Sequence, residues 1–303
     1  MKQPSYFFSP TLLDQYYSLC NSDTIWEKYY GHSETPQFTT EEFHETKYQE
    51  LIDRINNVKT PTTEAQAKGT CLNEIVDCII KKKSAPSGGV FIKTIRSMED
   101  FLEIALAKAK PETEEEQKKI TQQSQELLAK IGKAFIYASL EDFEFFFDVD
   151  FCKSIAKYFD GCICQFYTAA NLETPKGVVE LHGYLDYFRM KSIMDLKTCK
   201  NYTFGDYAHY NQRFAYPYCM IMSGMMTEVQ DVEFTAYRLT GGNSRNLLIS
   251  GVQNREVYTF DMKQSVEILR QNCESFIDFI NNNIENIDRN TTRILEKTDK
   301  DYE

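Results

Sequence analysis

Two acids and a lysine make the most chemically suggestive grouping in this chain: Asp186, then Asp195 and Lys197 nine and eleven residues later. The segment 178–188 has the apolar texture of a strand, 189–191 reads as a short turn, and 192–198 as a returning strand. A hairpin turning near residue 190 sets Asp186 opposite Met194 or Asp195, within reach across the pair. Asp195 and Lys197 are two apart and share a face. Two carboxylates this close repel unless a cation lies between them, and a hard divalent ion such as Mg²⁺, or Mn²⁺, suits oxygen ligands. Lys197 can then hold or activate a water beside the metal. Glu180 and His182 share the parity of Asp186 along the first strand and are expected to extend the same face.

A D-x-K triplet alone is weak. The chain contains a second, Asp261-Met262-Lys263, and two E-x-K triplets, Glu45-Thr46-Lys47 and Glu116-Gln117-Lys118. Those lie in helical or polar surroundings with no partner hairpin and read as solvated charge. Only Asp195-Leu196-Lys197 sits in an apolar strand with an acidic strand before it.

The elements that must position this hairpin are legible in outline. Ser9-Pro10 starts a helix, with Leu12, Leu13, Tyr16 and Tyr17 at helical spacing. Residues 31–60 are polar with some helical character. A second helix spans about 64–80 on Leu72, Ile75, Val76 and Ile79, and ends in a Lys/Ser/Pro/Gly loop. Helical periodicity continues over 97–136, broken by the acidic run after Pro111. The aromatic-rich stretch 140–172 is read as more helix. After the hairpin come a helix over about 203–218, strands near 232–239 and 245–250, and a helix over about 262–285. The expected fold is α/β: a small mixed central sheet flanked by helices, behind a largely helical N-terminal half. One domain, 1–290, comprises a mostly helical part, 1–172, and a sheet-bearing part, 173–290; 291–303 is a polar tail.

Composition narrows the class. The 303 residues are 42% hydrophobic and 26% charged, with 21 Phe and 19 Tyr, which excludes a disordered chain. The N-terminus lacks the apolar run of a signal peptide, and no apolar run approaches the roughly 20 residues of a membrane span. A cytoplasmic protein without membrane association is expected. Nine cysteines, an odd number without a C-x-x-C pair, fit reduced thiols packed as small hydrophobes. The net charge of -11 means that any nucleic-acid binding must use a local basic patch or oligomerisation.

Gly183-Tyr-Leu-Asp186, then Ile193-Met-Asp195-Leu196-Lys197-Thr198, then Gln212-Arg-Phe-Ala-Tyr216 resembles the RecB-type exonuclease branch of the PD-(D/E)XK nucleases, which read G-x-x-D, D-x-K-T and Q-x-x-x-Y in that order. Lys68-Gly69-Thr-Cys-Leu-Asn73-Glu74 is similar to the family's G-x-x-x-H helix, and Ser9 to Cys20 loosely to its N-terminal entry. The resemblance covers about 200 residues loosely and about 40 tightly. It implies a restriction-endonuclease-like core and an Mg²⁺-dependent phosphodiesterase that digests DNA from its ends in recombination or repair, in a phage or a bacterium.

In that reading Asp186 and Asp195 bind metal with the Leu196 carbonyl, Lys197 orients water, and Gln212 and Tyr216 position the strand or Lys197. Glu180, Asn73 and Glu74 are candidates for a second metal; Asn73 stands where the family usually has histidine, and a neutral carbonyl is a poorer ligand. Arg189, Lys191, Lys200 and Arg213, clustered in sequence around the site, could take phosphates. The iron–sulfur members carry a cysteine triplet near the C-terminus; only Cys219 and Cys273 follow Cys199 here, so no cluster is expected. A single-strand annealing protein and a homo-oligomeric ring around duplex DNA are the partners implied. A weakened member that only binds DNA or protein, and an endonuclease with the same site, are the alternatives.

Overall fold

The computed structural model describes residues 3–82 and 86–295. Caps encoded in the sequence start many of its helices. β1 (Tyr6–Phe8) leads into α1 (Pro10–Cys20), where Ser9 Oγ accepts from the Leu12 N–H at 3.3 Å and Pro10 opens the first turn. α2 (Ser22–Tyr29), α3 (Thr40–Ile55) and α4 (Glu64–Lys81) follow; Thr39 and Thr63 each form a reciprocal capping box, with Glu42 and Gln66. Then come β2 (Phe91–Ile95), α5 (Met98–Ala109), α6 (Glu114–Ile131), β3 (Phe135–Leu140), β4 (Phe143–Asp148) and α7 (Val149–Tyr158). β5 (Ile163–Thr174), β6 (Gly177–Arg189) and β7 (Ser192–Cys199) form an antiparallel meander. α8 (Gln212–Met222) crosses to β8 (Asp231–Thr240), which lies parallel to β7, and β9 (Leu248–Thr259) and α9 (Met262–Asn282) complete the order.

These strands make one mixed sheet in the order β1-β6-β7-β8-β9-β4-β3-β2, with β5 on the remaining edge of β6. The protein is therefore mixed α/β, with a large central sheet flanked by helices. The sheet has nine strands among the described residues, larger than expected, and five of them lie before residue 175. The stretch 140–172, expected as helix, is β4, α7 and β5. In β4, Phe145 and Phe147 are buried while Glu144 is exposed, a period of two that belongs to a strand. The helix expected from 203 begins only at Gln212; Gly205, at φ +90°, belongs to a turn before it. β9 begins at Leu248 and runs to Thr259, past the short strand expected at 245–250. Part of the expected polar tail is structural: the Phe7 N–H donates to Ile294 O at 2.9 Å, and Ile294 is buried. The rest of that tail, 296–303, lies outside the described residues.

The two faces of the sheet carry different cores. Ile193 of β7 packs with Tyr216 and Met220 of α8, whereas its neighbours Met194 and Leu196 pack with Leu72, Ile75 and Val76 of α4. Successive strand residues point to opposite faces, so α4 and α8 cover opposite sides of β7. No helix among the described residues is long and apolar enough to cross a membrane.

Candidate active site

Three strands compete for β6. β5 pairs along its whole length, so β1, at residues 179–181, and β7, at residues 187–189, divide the other edge. Residues 182–186 border the split between them. At its end the strand turns over. Leu181 and Leu185 pack in clusters shared with α8, but Tyr187 packs with α4 and α7. Residues two apart in a regular strand share a face, so the reversal lies at Asp186. Across the ladder Gln165 adopts φ +53° and leaves Asp186 unpaired.

Asp186 thus projects into the split, in line with the missing rungs. Its Oδ2 accepts the Leu196 N–H at 3.0 Å, taking the place of a strand carbonyl, and Gln165 Nε2 reaches Oδ1 at 3.4 Å. Asp195 is buried at 3% exposure. Lys197 Nζ lies 2.8 Å from Asp195 Oδ2, so the ammonium ion-pairs with this buried oxygen. Burial, and then the Asp195 carboxylate, push the Asp186 carboxyl up to about 7 against the pull of Lys197. Burial draws Lys197 down, but Asp195 and Asp186 outweigh it and hold the ammonium above the ordinary lysine range. Two acids against one lysine leave a net negative charge in a confined place.

That imbalance fits a hard cation. Among the described residues no group of three or more His, Cys, Asp or Glu could hold a metal. A cation here would have two carboxylates, and neutral oxygens would have to complete its shell, as suits Mg²⁺, which keeps several of its waters. Asn73 offers such an oxygen. Gly69 brings α4 against β7, where a Cβ on it would stand 3.0 Å from Thr198 Oγ1. Two turns on, Asp77 accepts the Tyr187 hydroxyl at 2.9 Å. Asn73 lies between them on the same helix face, and its Oδ1 is buried without a partner.

On the other face, Lys197 Nζ donates to Gln212 Oε1 at 2.8 Å. Gln212 is the first residue of α8, and the turn before it is anchored. Asp14 Oδ1 of α1 accepts both the Asn211 backbone N–H, at 2.7 Å, and Asn211 Nδ2, at 2.9 Å. Asn272 of α9 donates to Asn211 Oδ1 at 2.8 Å. Burial pushes Asp14 up to about 6. Asp14→Ala is expected to lower kcat about tenfold by freeing Gln212, whereas Asp14→Asn, which keeps the acceptor oxygen, retains most of it. Single-turnover rates check this; equal losses in both variants would contradict it.

Tyr216 lies one turn beyond Gln212. Its hydroxyl donates to Tyr184 O at 2.9 Å, and its ring lies on Gly183, where a Cβ would stand 3.1 Å from Cε1. The Gly183–Asp186 and Gln212–Tyr216 motifs are thus one contact, and the glycine is needed for the close approach. Gly183→Val is expected to displace the ring and cost at least about tenfold in rate. A crystal structure of the variant with Tyr216 unmoved would contradict it.

Other expected site residues lie elsewhere. Glu180 is six residues from Asp186, about 20 Å along the strand at about 3.3 Å per residue, and the reversal at Asp186 breaks the shared parity expected for Glu180 and His182. Glu74 accepts from Ser87 N, at 3.0 Å, and Ser87 Oγ, at 2.6 Å, holding the loop after α4. Arg189 donates to Asp160 O at 2.9 Å and Lys191 pairs with Glu228 at 2.5 Å, both at the turn end of the hairpin. Lys200 is exposed at the opposite end of β7. Arg213 is packed over the Tyr258 ring at 4.3 Å and donates to Ala208 O. The four basic residues do not form one cluster. Sequence reasoning missed Asp14, Asp77 and Asn211. The two acids had a signal, each being a charge inside an apolar helical stripe.

No family model and no curated protein matches this chain. Among solved structures, a candidate exonuclease from Eubacterium rectale matches 89% of this chain and 86% of its own, at 13% identity and a TM-score of 0.33. SSO0001 matches 67% of this chain and 83% of its own, at 8% identity and a TM-score of 0.27. Likenesses this loose do not bear on the site.

Proposed function

We propose that this protein is a metal-dependent nuclease of the PD-(D/E)XK kind, in its RecB-type branch, that removes nucleotides from the ends of duplex DNA. One observation carries the reading: Asp186, Asp195, Lys197 and Gln212 meet at a split between two strands, two acids against one lysine. The order β5–β6–β7–α8–β8, three antiparallel strands followed by a helical crossover to a parallel one, supports a restriction-endonuclease-like core.

Asp186, Asp195, the Leu196 carbonyl and Asn73 would hold the ion. Bound there, Mg²⁺ or Mn²⁺ lowers the pKa of a water and neutralises phosphoryl oxygens. Lys197, kept charged by the two acids, has no lone pair with which to take a proton; it donates to the attacking water or to a phosphoryl oxygen. Gln212 fixes its direction, and Tyr216 fixes Gln212's helix against β6. Attack would form a new bond from water oxygen to phosphorus and break the bond to the leaving sugar oxygen, the nucleophile's proton passing to solvent and the leaving oxygen taking one from solvent. Action in recombination or repair, beside a single-strand annealing protein, in the cytoplasm of a bacterium or a phage's host, belongs to the same proposal. So does a ring of several copies, which would gather the scattered basic residues around DNA.

End-labelled linear duplex and closed circular duplex, each with Mg²⁺, Mn²⁺ and chelator, provide the test. Metal-dependent loss of linear DNA alone is expected, absent in Asp195→Ala and Lys197→Ala. Cleavage of circles would make the protein an endonuclease. Folded wild type inert with every metal would overturn the reading. Asn73 and the missing third acidic ligand favour a second reading, a descendant that binds DNA or a protein without hydrolysis, which that outcome would support.

A further inference from the structure

Lys197 and Gln212 form part of the wall of a cleft of about 650 Å³ between α1, α2 and the 200–211 segment. Its lining differs from the acidic surface of the chain as a whole. Tyr17 and His209 stack with ring centroids 4.6 Å apart and planes within 19°. Tyr29 is 61% exposed beside them, and Lys28, whose ammonium is 2.6 Å from Asp206, lines the same space. Partial burial draws the His209 imidazole below its ordinary value, and its flat ring lines the cleft. Gln15 stands on the same wall with Oε1 buried and without a partner. A buried oxygen without a donor is costly until a ligand supplies one.

These features call for a planar ring with a hydrogen-bonding edge, and the Lys197 wall, where the cation would sit, is where a phosphate joined to that ring would lie. A nucleotide has both the ring and the phosphate, and the cleft is of a size to admit one. We propose that the cleft takes an unpaired nucleotide of a strand whose phosphodiester lies at Lys197, with the base against the Tyr17–His209 pair and its edge toward Gln15. The proposal rests on the nuclease reading of Lys197 and extends it: the substrate end is single-stranded at the site. A base still paired in duplex is stacked on its neighbours and cannot enter.

Fluorescence anisotropy with labelled single strands and blunt duplex, in chelator so that nothing is cleaved, tests this on the full chain. Tyr17→Ala and His209→Ala are each expected to weaken single-strand binding roughly tenfold. Tyr17→Phe should bind like wild type, and blunt duplex should bind all variants alike. Melting temperatures establish that the variants fold, and His209, being exposed, is the safer of the two. Single strands binding wild type no better than blunt duplex, or binding both alanine variants undiminished, would overturn the proposal. Hydrolysis measured in parallel separates the two readings. Cleavage with ring-independent binding removes the cleft and leaves the nuclease; ring-dependent binding without cleavage does the reverse. Deoxyribose and ribose strands of one sequence tell which nucleic acid the cleft prefers.

Discussion

Asp195→Asn is expected to abolish nuclease activity, by at least about a thousandfold, and at the same time to raise the melting temperature of the cation-free protein. The two effects have one cause. Asp186 and Asp195 press two negative charges against one lysine, and burial first, then the Asp195 charge, holds Asp186 up to about 7. Asparagine keeps an oxygen near Lys197 and removes one charge. The gain is about 1 kcal/mol, or roughly 2 °C for a chain of this size. Its pH dependence has a definite sign. A carboxyl raised in the fold keeps its proton there at pH values where the unfolded chain has lost it. Cation-free wild type is therefore favoured most below the ordinary carboxylate range and loses this stability as pH rises through about 7. The advantage of Asp195→Asn should be larger at pH 8 than at pH 5. Mg²⁺ should raise the melting temperature of wild type and leave the variant unmoved. A variant that melts below wild type at pH 8 in chelator would show that the acids are not in conflict.

Lys197→Ala should lose activity to a similar degree and change stability in the opposite direction. Removing the ammonium leaves two acids with no opposing charge and the Gln212 carbonyl without its donor. Breaking a fully buried pair costs about 3–5 kcal/mol; with Lys197 a quarter exposed, about 2 kcal/mol is expected here. Mg²⁺ should restore part of that loss, since it supplies the missing positive charge. Urea melts with and without the ion measure both terms, and a variant as stable as wild type in chelator would contradict the picture. The pair Asp195→Asn and Lys197→Ala thus separates chemistry from folding, because activity falls in both while stability moves apart.

The hairpin and the residues on it were legible because a strand's period of two is short-range. Asp195 and Lys197 share a face in any register, and the turn at 189–191 fixes which residues oppose them. The reversal at Asp186 was not legible. It arises because β1 and β7 divide one edge of β6, and β1 is a three-residue strand from the far end of the chain. For the same reason the parity that Glu180 shares with Asp186 along the sequence does not survive in the strand. Phe143–Phe147 carried a strand signal that its density of aromatics concealed, and β5 alternates only partially. Asp14 and Asp77 were visible as acids inside apolar stripes, yet what they hold, Asn211 and Tyr187, is 197 and 110 residues away. Such partners emerge only once the chain has folded.

The bond from Leu196 to Asp186 has a spectroscopic consequence. In a sheet this size most amide protons are bound to carbonyls, whose electron density changes little with solution conditions. The Leu196 amide is bound instead to an ionisable oxygen. Its nitrogen and proton frequencies must follow the charge on that oxygen, so one peptide group in the middle of a strand becomes a native indicator. Read in a chelated sample and again as an ion is titrated in, that single resonance would report the state of the carboxylate pair without any label, substrate or mutation.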